Sequence, residues 1–172
     1  GDILSAAERL ALPPGLPPRA VHGDPKISNF VFAADGAARA MIDLDTFSRM
    51  ALPLELGDAL RSWCSPHGEE SGEPIDTEHF SAAIGGYAAA VGNLPTPAER
   101  EAIPLATALI AVELASRFCT DALEERYFAW HPERFASSAD HNLVRARAQL
   151  ALGTSILARL PVLARAVNQA WR

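Results

Sequence analysis

From Leu54 to the C-terminus the apolar residues recur at helical spacing, and this one feature restricts the chain to a mainly α architecture. The spacing predicts helices over 54–65, 77–91, 97–126 and 141–171, the last broken near Pro161. Thr96 and Glu99 make a capping box ahead of the third helix, and Pro66, Gly68, Gly72 and Pro74 mark 66–75 as a polar loop. An earlier helix, carried by Ile3, Leu4, Ala7 and Leu10, must stop at the proline run that begins at Pro13. β texture is confined to Ala20-Val21, Phe30-Val31-Phe32 and Ala40-Met41-Ile42, with Asp35-Gly36 as a turn signal. The expectation is one small hairpin from about Asn29 to Asp43, plus a short strand near Val21.

At 172 residues the chain reads as one domain. Lys and Arg number 15 against 21 Asp and Glu, a net charge of −6, so no basic field attracts nucleic acid or anionic lipid. The longest apolar stretch, Leu105 to Ala115, is interrupted by Glu113 and falls short of the roughly 20 residues a membrane span needs. Residues 1–20 lack the basic-then-apolar order of a signal peptide, and a cytoplasmic setting is expected. Cys64 and Cys119 read as reduced packing thiols.

Chemistry concentrates in His22-Gly23-Asp24-Pro25-Lys26-Ile27-Ser28-Asn29 and, after the hairpin, in Ile42-Asp43-Leu44-Asp45-Thr46. The hairpin can bring Asp24, Asn29 and Asp43 together, and three hard oxygen donors suit Mg²⁺ with phosphates and water completing its shell. Lys26 adds a positive charge beside them, as phosphoryl transfer requires. Thiolate or clustered imidazole ligands for zinc are missing.

The Asp-x-Lys-x-x-Asn spacing at Asp24, Lys26 and Asn29 resembles the catalytic loop of the aminoglycoside phosphotransferase and choline kinase group, within the protein-kinase-like fold. The segments Arg117-Phe118-Cys119-Thr120-Asp121 with Tyr127-Phe128, and Asn142 to Gln149, look like late helices of N-acetylhexosamine 1-kinase-like proteins. The resemblance runs from about Arg19 to Ala158. It implies that residues 1–172 are the C-terminal lobe of such a kinase: a catalytic loop at 22–29, a metal segment at 42–46 and a helical subdomain at 54–171.

By that resemblance Asp24 accepts the substrate hydroxyl's proton, Lys26 touches the transferred phosphoryl group of ATP, and Asn29 and Asp43 hold Mg²⁺. His22 braces the loop, Asp58 anchors the loop backbone, and Arg117, Asp121 and Tyr127 line the pocket of a small hydroxyl substrate such as an N-acetylhexosamine. Asp24 also faces that substrate. Asp45 reads equally as a second metal contact or a cap.

The resemblance also implies a Gly-rich phosphate cover and a strand lysine paired with a helix glutamate, and neither precedes His22. The N-terminal ATP-binding lobe is therefore expected to be absent and the isolated chain inactive. The alternative is a non-catalytic kinase-like binding module or inactive fragment. Apolar faces left uncovered, at 3–12 or around Leu105 to Leu114, are expected to drive self-association.

Plainer readings accompany these. Arg117 and Asp121, four apart, suit an ordinary helix ion pair. Trp63, Trp130 and Trp171 suit core or edge positions, His67, His79, His131 and His141 have no metal spacing, and Glu69-Glu70 and Glu124-Glu125 suit solvated surface. Asp43-Leu44-Asp45 is similar to the nucleophile motif of haloacid-dehalogenase-like phosphatases, but Phe47 holds that motif's threonine place and no alternating strands and helices follow.

Overall fold

Proline and capping residues set the helix starts in the computed structural model, which describes residues 2–172. In chain order the elements are α1 (Asp2–Ala7), β1 (Pro18–Val21), β2 (Phe30–Phe32), β3 (Ala38–Met41), β4 (Ser48–Ala51), α2 (Leu52–Trp63), α3 (Thr77–Val91), α4 (Pro97–Glu124) and α5 (Ser138–Ala170). Pro53 and Pro97 sit in the first turns of α2 and α4, where a missing N–H costs no helical bond. Asp76 caps α3 by accepting from the backbone N–H groups of Glu78 and His79, and the Thr96–Glu99 capping box closes ahead of α4 as its spacing predicts.

The hairpin β2–β3 is antiparallel, with Phe30 opposite Met41 and Val31 opposite Ala40. A second antiparallel pair joins β1 to β4, from Pro18 opposite Ala51 to Val21 opposite Ser48, and corrects the expectation of a lone strand at Val21. Ser48-Arg49-Met50-Ala51 carries neither β-branched nor alternating residues, so its extended state comes from pairing with β1 rather than from its own preference.

α5 runs unbroken through Pro161, against the expected break. Pro161 is exposed, and one lost backbone bond plus a local bend is tolerated where packing on both sides holds the helix. α4 packs along α5 on one side and α2 on the other, around Phe80, Ile84, Ile103, Leu152, Ile156 and Leu163. Gly57 permits the α2 contact, since a Cβ there would meet the Ala106 carbonyl group at 2.8 Å.

Both α4 and α5 contain an 18-residue window of mean hydropathy 1.5 and are long and apolar enough to cross a membrane by length and composition. Unbroken apolar runs understate this because alanine carries much of the average. In α4, 61% of that window is buried in the bundle. The segment around Leu105 to Leu114, expected to be bare, is turned inward: Ala106, Ala108, Ala111, Val112 and Leu114 are buried. Leu10 is buried as well. Leu4 in α1 stays exposed, and other exposed apolar side chains gather at the hairpin and the turn after it, at Val31, Phe32, Met41, Ile42, Leu44 and Phe47.

Candidate functional site

The loop after β1 is held by backbone tethers to α2. The Glu55 carboxylate, in the first turn of α2, accepts from the His22 N–H (2.9 Å) and the Gly23 N–H (3.0 Å). Two turns on, Ser62 Oγ accepts from the Ile27 N–H (3.2 Å), and Trp63 Nε1–H donates to the Pro25 carbonyl (2.9 Å). Positions 55, 62 and 63 share one helix face. The anchor is therefore Glu55 and not Asp58, which instead accepts from Arg61 at 2.9 Å one turn further along.

Within the loop the polar groups converge on Asp24. Lys26 Nζ donates to and ion-pairs with Asp24 Oδ2. Asn29 is buried, and its Nδ2 donates to the Asp24 carbonyl (2.8 Å) and to Asp24 Oδ2 (3.1 Å). His22 Nδ1 accepts from the Asp24 N–H (3.4 Å), which leaves Nε2–H to donate to the Ile42 carbonyl (2.9 Å). Ile42 N–H in turn donates to the Asn29 carbonyl (2.9 Å), so the backbone leading into Asp43 is bonded to both ends of the loop.

Gly23 has φ +87°, and a Cβ there would lie 2.3 Å from the Thr46 carbonyl oxygen. Thr46 Oγ1 donates to the His22 carbonyl (2.9 Å), closing the same contact. Asp43 is one of two non-glycine residues with positive φ among the described residues (φ 66°, ψ 59°), a conformation that costs roughly 1–2 kcal/mol and clusters at functional sites.

A cleft of about 960 Å³ opens beside the loop, walled by Asp24, Lys26 and Thr46 on one side and by Glu113, Arg117 and Tyr127 on the other. Arg117 lies over the rings of Tyr127 (5.4 Å) and Phe128 (5.5 Å). Partial desolvation in the cleft raises the Glu113 carboxyl above its ordinary range although half of the side chain stays exposed, and Arg117, 3.9 Å away, offsets this only in part. The structure thus brings Asp24, Lys26, Arg117 and Tyr127 to one cleft. Asn29 and Asp43 are not among its walls, and Asp43 is exposed.

Asp121 is not in the cleft. It is buried and accepts from the N–H groups of Arg126 (2.9 Å), Tyr127 (2.8 Å) and Phe128 (2.9 Å) and from Asn142 Nδ2 (2.9 Å). These donors, led by Phe128 N–H, hold its carboxyl below the usual range. It makes no ion pair with Arg117; the backbone that carries Tyr127 claims it first.

Other plain readings also change. Glu69 pairs with the buried Arg61 (3.3 Å), and Glu70 pairs with Arg134 (2.7 Å) and with the buried His141 Nε2 (2.8 Å), so neither glutamate is merely solvated surface.

Residues 2–103, more than half of the chain and inclusive of segments 22–29 and 42–46, match the model of the phosphotransferase enzyme family, APH. The chain belongs to the phosphotransferase enzyme family. As a phosphotransferase it has a kinase-type activity to account for, and family members generally use ATP with a divalent metal.

The donors present suit such a metal in part. Asn29 spends Nδ2 on Asp24, and its Oδ1 takes no hydrogen bond among the described residues; the Asp43 carboxylate is likewise unengaged there. Two hard oxygens, completed by phosphates and water, are what Mg²⁺ accepts. No group of three or more His, Cys, Asp or Glu side chains that could hold a metal ion forms among the described residues. Glu55, Ser62 and Trp63 are the participants that sequence reasoning missed; their shared helix face next to the loop was the available signal.

Proposed function

We propose that this phosphotransferase moves the γ-phosphoryl group of ATP to a hydroxyl of a small molecule, a sugar of the N-acetylhexosamine kind, and that the chain is the catalytic and acceptor-binding lobe of a protein-kinase-like fold. The observation that carries the reading is the bonding around Asp24. Its carboxylate is ion-paired to Lys26, braced by the Asn29 amide and open to the cleft.

In that position Asp24 accepts the acceptor hydroxyl's proton as the oxygen attacks, while Lys26 stabilises charge on the transferred group. Glu55, Ser62 and Trp63 hold the loop so that neither side chain must reorganise during the transfer. Asn29 and Asp43 are the residues that would hold Mg²⁺, which when bound neutralises charge on the phosphate oxygens. Arg117 and Tyr127 orient the acceptor from the opposite wall.

The test is transfer from ATP to N-acetylhexosamines by this lobe joined to a Gly-rich cover and strand lysine. Asp24→Asn is expected to cut turnover by roughly 10²- to 10⁴-fold. Wild-type turnover in Asp24→Asn would refute the assignment. The 172 residues alone are expected to give no measurable transfer, because alignment of the nucleotide supplies most of the catalysis.

A further inference from the structure

The apolar stretch Leu105 to Ala115 admits a single charge, Glu113. In the folded chain α4 is buried from Ala111 to Phe118 except at Glu113, Ser116 and Arg117. Glu113 and Arg117, one turn apart, both line the cleft, and their side chains are 51% and 46% exposed. Both therefore present charged atoms to whatever fills it.

Neither side chain makes a hydrogen bond among the described residues. Arg117 Nε and Glu113 Oε1 are 3.9 Å apart, too far for one, and at that separation an oxygen seated beside the gap reaches both. Arg117 is held without spending a donor. Its guanidinium lies over the rings of Tyr127 (5.4 Å) and Phe128 (5.5 Å), and Asp121 fixes both of those residues through their backbone N–H groups. The Glu113 carboxylate keeps its accepting capacity as well, and partial desolvation with the nearby Asp58 charge raises its affinity for a proton and so for a donated hydrogen bond. One oxygen that accepts from a guanidinium and donates to a carboxylate is a neutral hydroxyl; an ammonium cannot accept, and a carboxylate or phosphate cannot donate.

We propose that Glu113 is an acceptor-binding residue: with Arg117 it holds a non-reacting hydroxyl of the acceptor, which accepts from the Arg117 guanidinium and donates to the Glu113 carboxylate. The inference rests on the phosphotransferase reading above, and it narrows the acceptor to a compound with at least one hydroxyl besides the one phosphorylated. An ordinary helix ion pair is the competing account, and it gives Glu113 no effect on binding.

Acceptor binding can be measured without nucleotide, by isothermal titration of the 172-residue chain with N-acetyl-D-glucosamine, D-galactose and myo-inositol. At least one of them binds. Glu113→Ala weakens that compound by about 10-fold or more, the loss of a hydrogen bond to a charged group, and Glu113→Gln, which keeps an accepting oxygen, recovers part of the loss. One monodeoxy analogue binds the wild type more weakly by a similar factor, and Glu113→Ala no longer distinguishes the analogue from its parent. Urea midpoints close to wild type verify that both variants fold.

The deoxy series in the wild type keeps the test decisive if a variant fails to fold. No binding by any of the three compounds, a flat deoxy series, or unchanged affinity in Glu113→Ala would each overturn the proposal; the last would leave Glu113 and Arg117 a water-bridged ion pair only. Equal losses in Glu113→Gln and Glu113→Ala would also overturn it, since that pattern marks a need for charge rather than for a hydroxyl's partner. Transfer by the joined protein that Asp24→Asn abolishes, with an acceptor KM unchanged in Glu113→Ala, would sink this inference and leave the phosphotransferase reading standing. Binding that depends on Glu113, with no phosphoryl transfer by the joined protein, would do the reverse.

Discussion

Glu99→Gln should remove a pH-dependent part of the fold's stability, and the size of that part can be worked from the clamp it makes with β1. Glu99 has no solvent exposure, accepts from Arg19 Nε (2.6 Å) and Nη2 (2.7 Å), and also accepts from the Thr96 N–H (2.7 Å). These partners, Arg19 first, hold its carboxyl down at about 2 against an ordinary 4.5. At about 1.36 kcal/mol for each tenfold change in proton affinity, the drop corresponds to about 3 kcal/mol at most. The Arg19 side chain is 26% exposed, and solvent screening there brings the expected figure nearer about 2 kcal/mol.

Because the folded-state value is depressed, this contribution is fully present above pH 4.5 and is lost as pH falls from 4.5 toward 2. Urea unfolding of wild type and Glu99→Gln, run from pH 7 to pH 3, isolates it as a difference. Other carboxylates with lowered values, such as Asp121, titrate in both proteins and cancel. The gap should be widest at pH 7 and should shrink by roughly half or more at pH 3. A gap of equal size at both ends would refute the reasoning. Arg19 lies three residues before His22, so the same clamp fixes where the loop after β1 begins.

Gly23→Ala should destabilise the fold by about 2 kcal/mol or more in urea melts and detach the loop from Thr46, since the added Cβ meets a backbone carbonyl and the φ of +87° is itself strained. Pro161→Ala should raise stability by about 1–3 kcal/mol, because it restores a helical donor at an exposed interior position of α5; an unchanged or lower midpoint would contradict this. Asp121→Ala should cost about 3 kcal/mol and speed amide hydrogen exchange at Arg126, Tyr127 and Phe128, whose donors it strands.

What the sequence showed well was whatever local chemistry decides. Capping at Thr96 and Glu99, the Asp35-Gly36 turn and the helical periodicity all act within a few residues. β4 was invisible because its strand state depends on a partner across the hairpin. Asp58 and Glu55 lie about one turn apart on α2, and spacing alone cannot say which carboxylate reaches the loop; the crossing geometry gives Glu55 to the loop and Asp58 to Arg61. Asp121 misled for a related reason. A carboxylate near a pocket and one that caps the backbone of a pocket loop have the same sequence signature, and only burial separates them.

The tethers on α2 divide the cleft into halves with different freedom to change. Glu55, Ser62 and Trp63 grip the loop after β1 through its backbone, so a substitution in either the loop or the helix is expected to disturb the proposed placement of Asp24. Glu113, Arg117, Tyr127 and Gln149 border the same cleft but lie beyond residues 2–103, where the family match ends. On the proposed reading, a lineage built on this plan can exchange those side chains to admit a new acceptor while Asp24 and its loop stay untouched. Randomising 113–149 should therefore yield altered acceptor preference far more often than randomising 52–63, where most variants lose the loop itself.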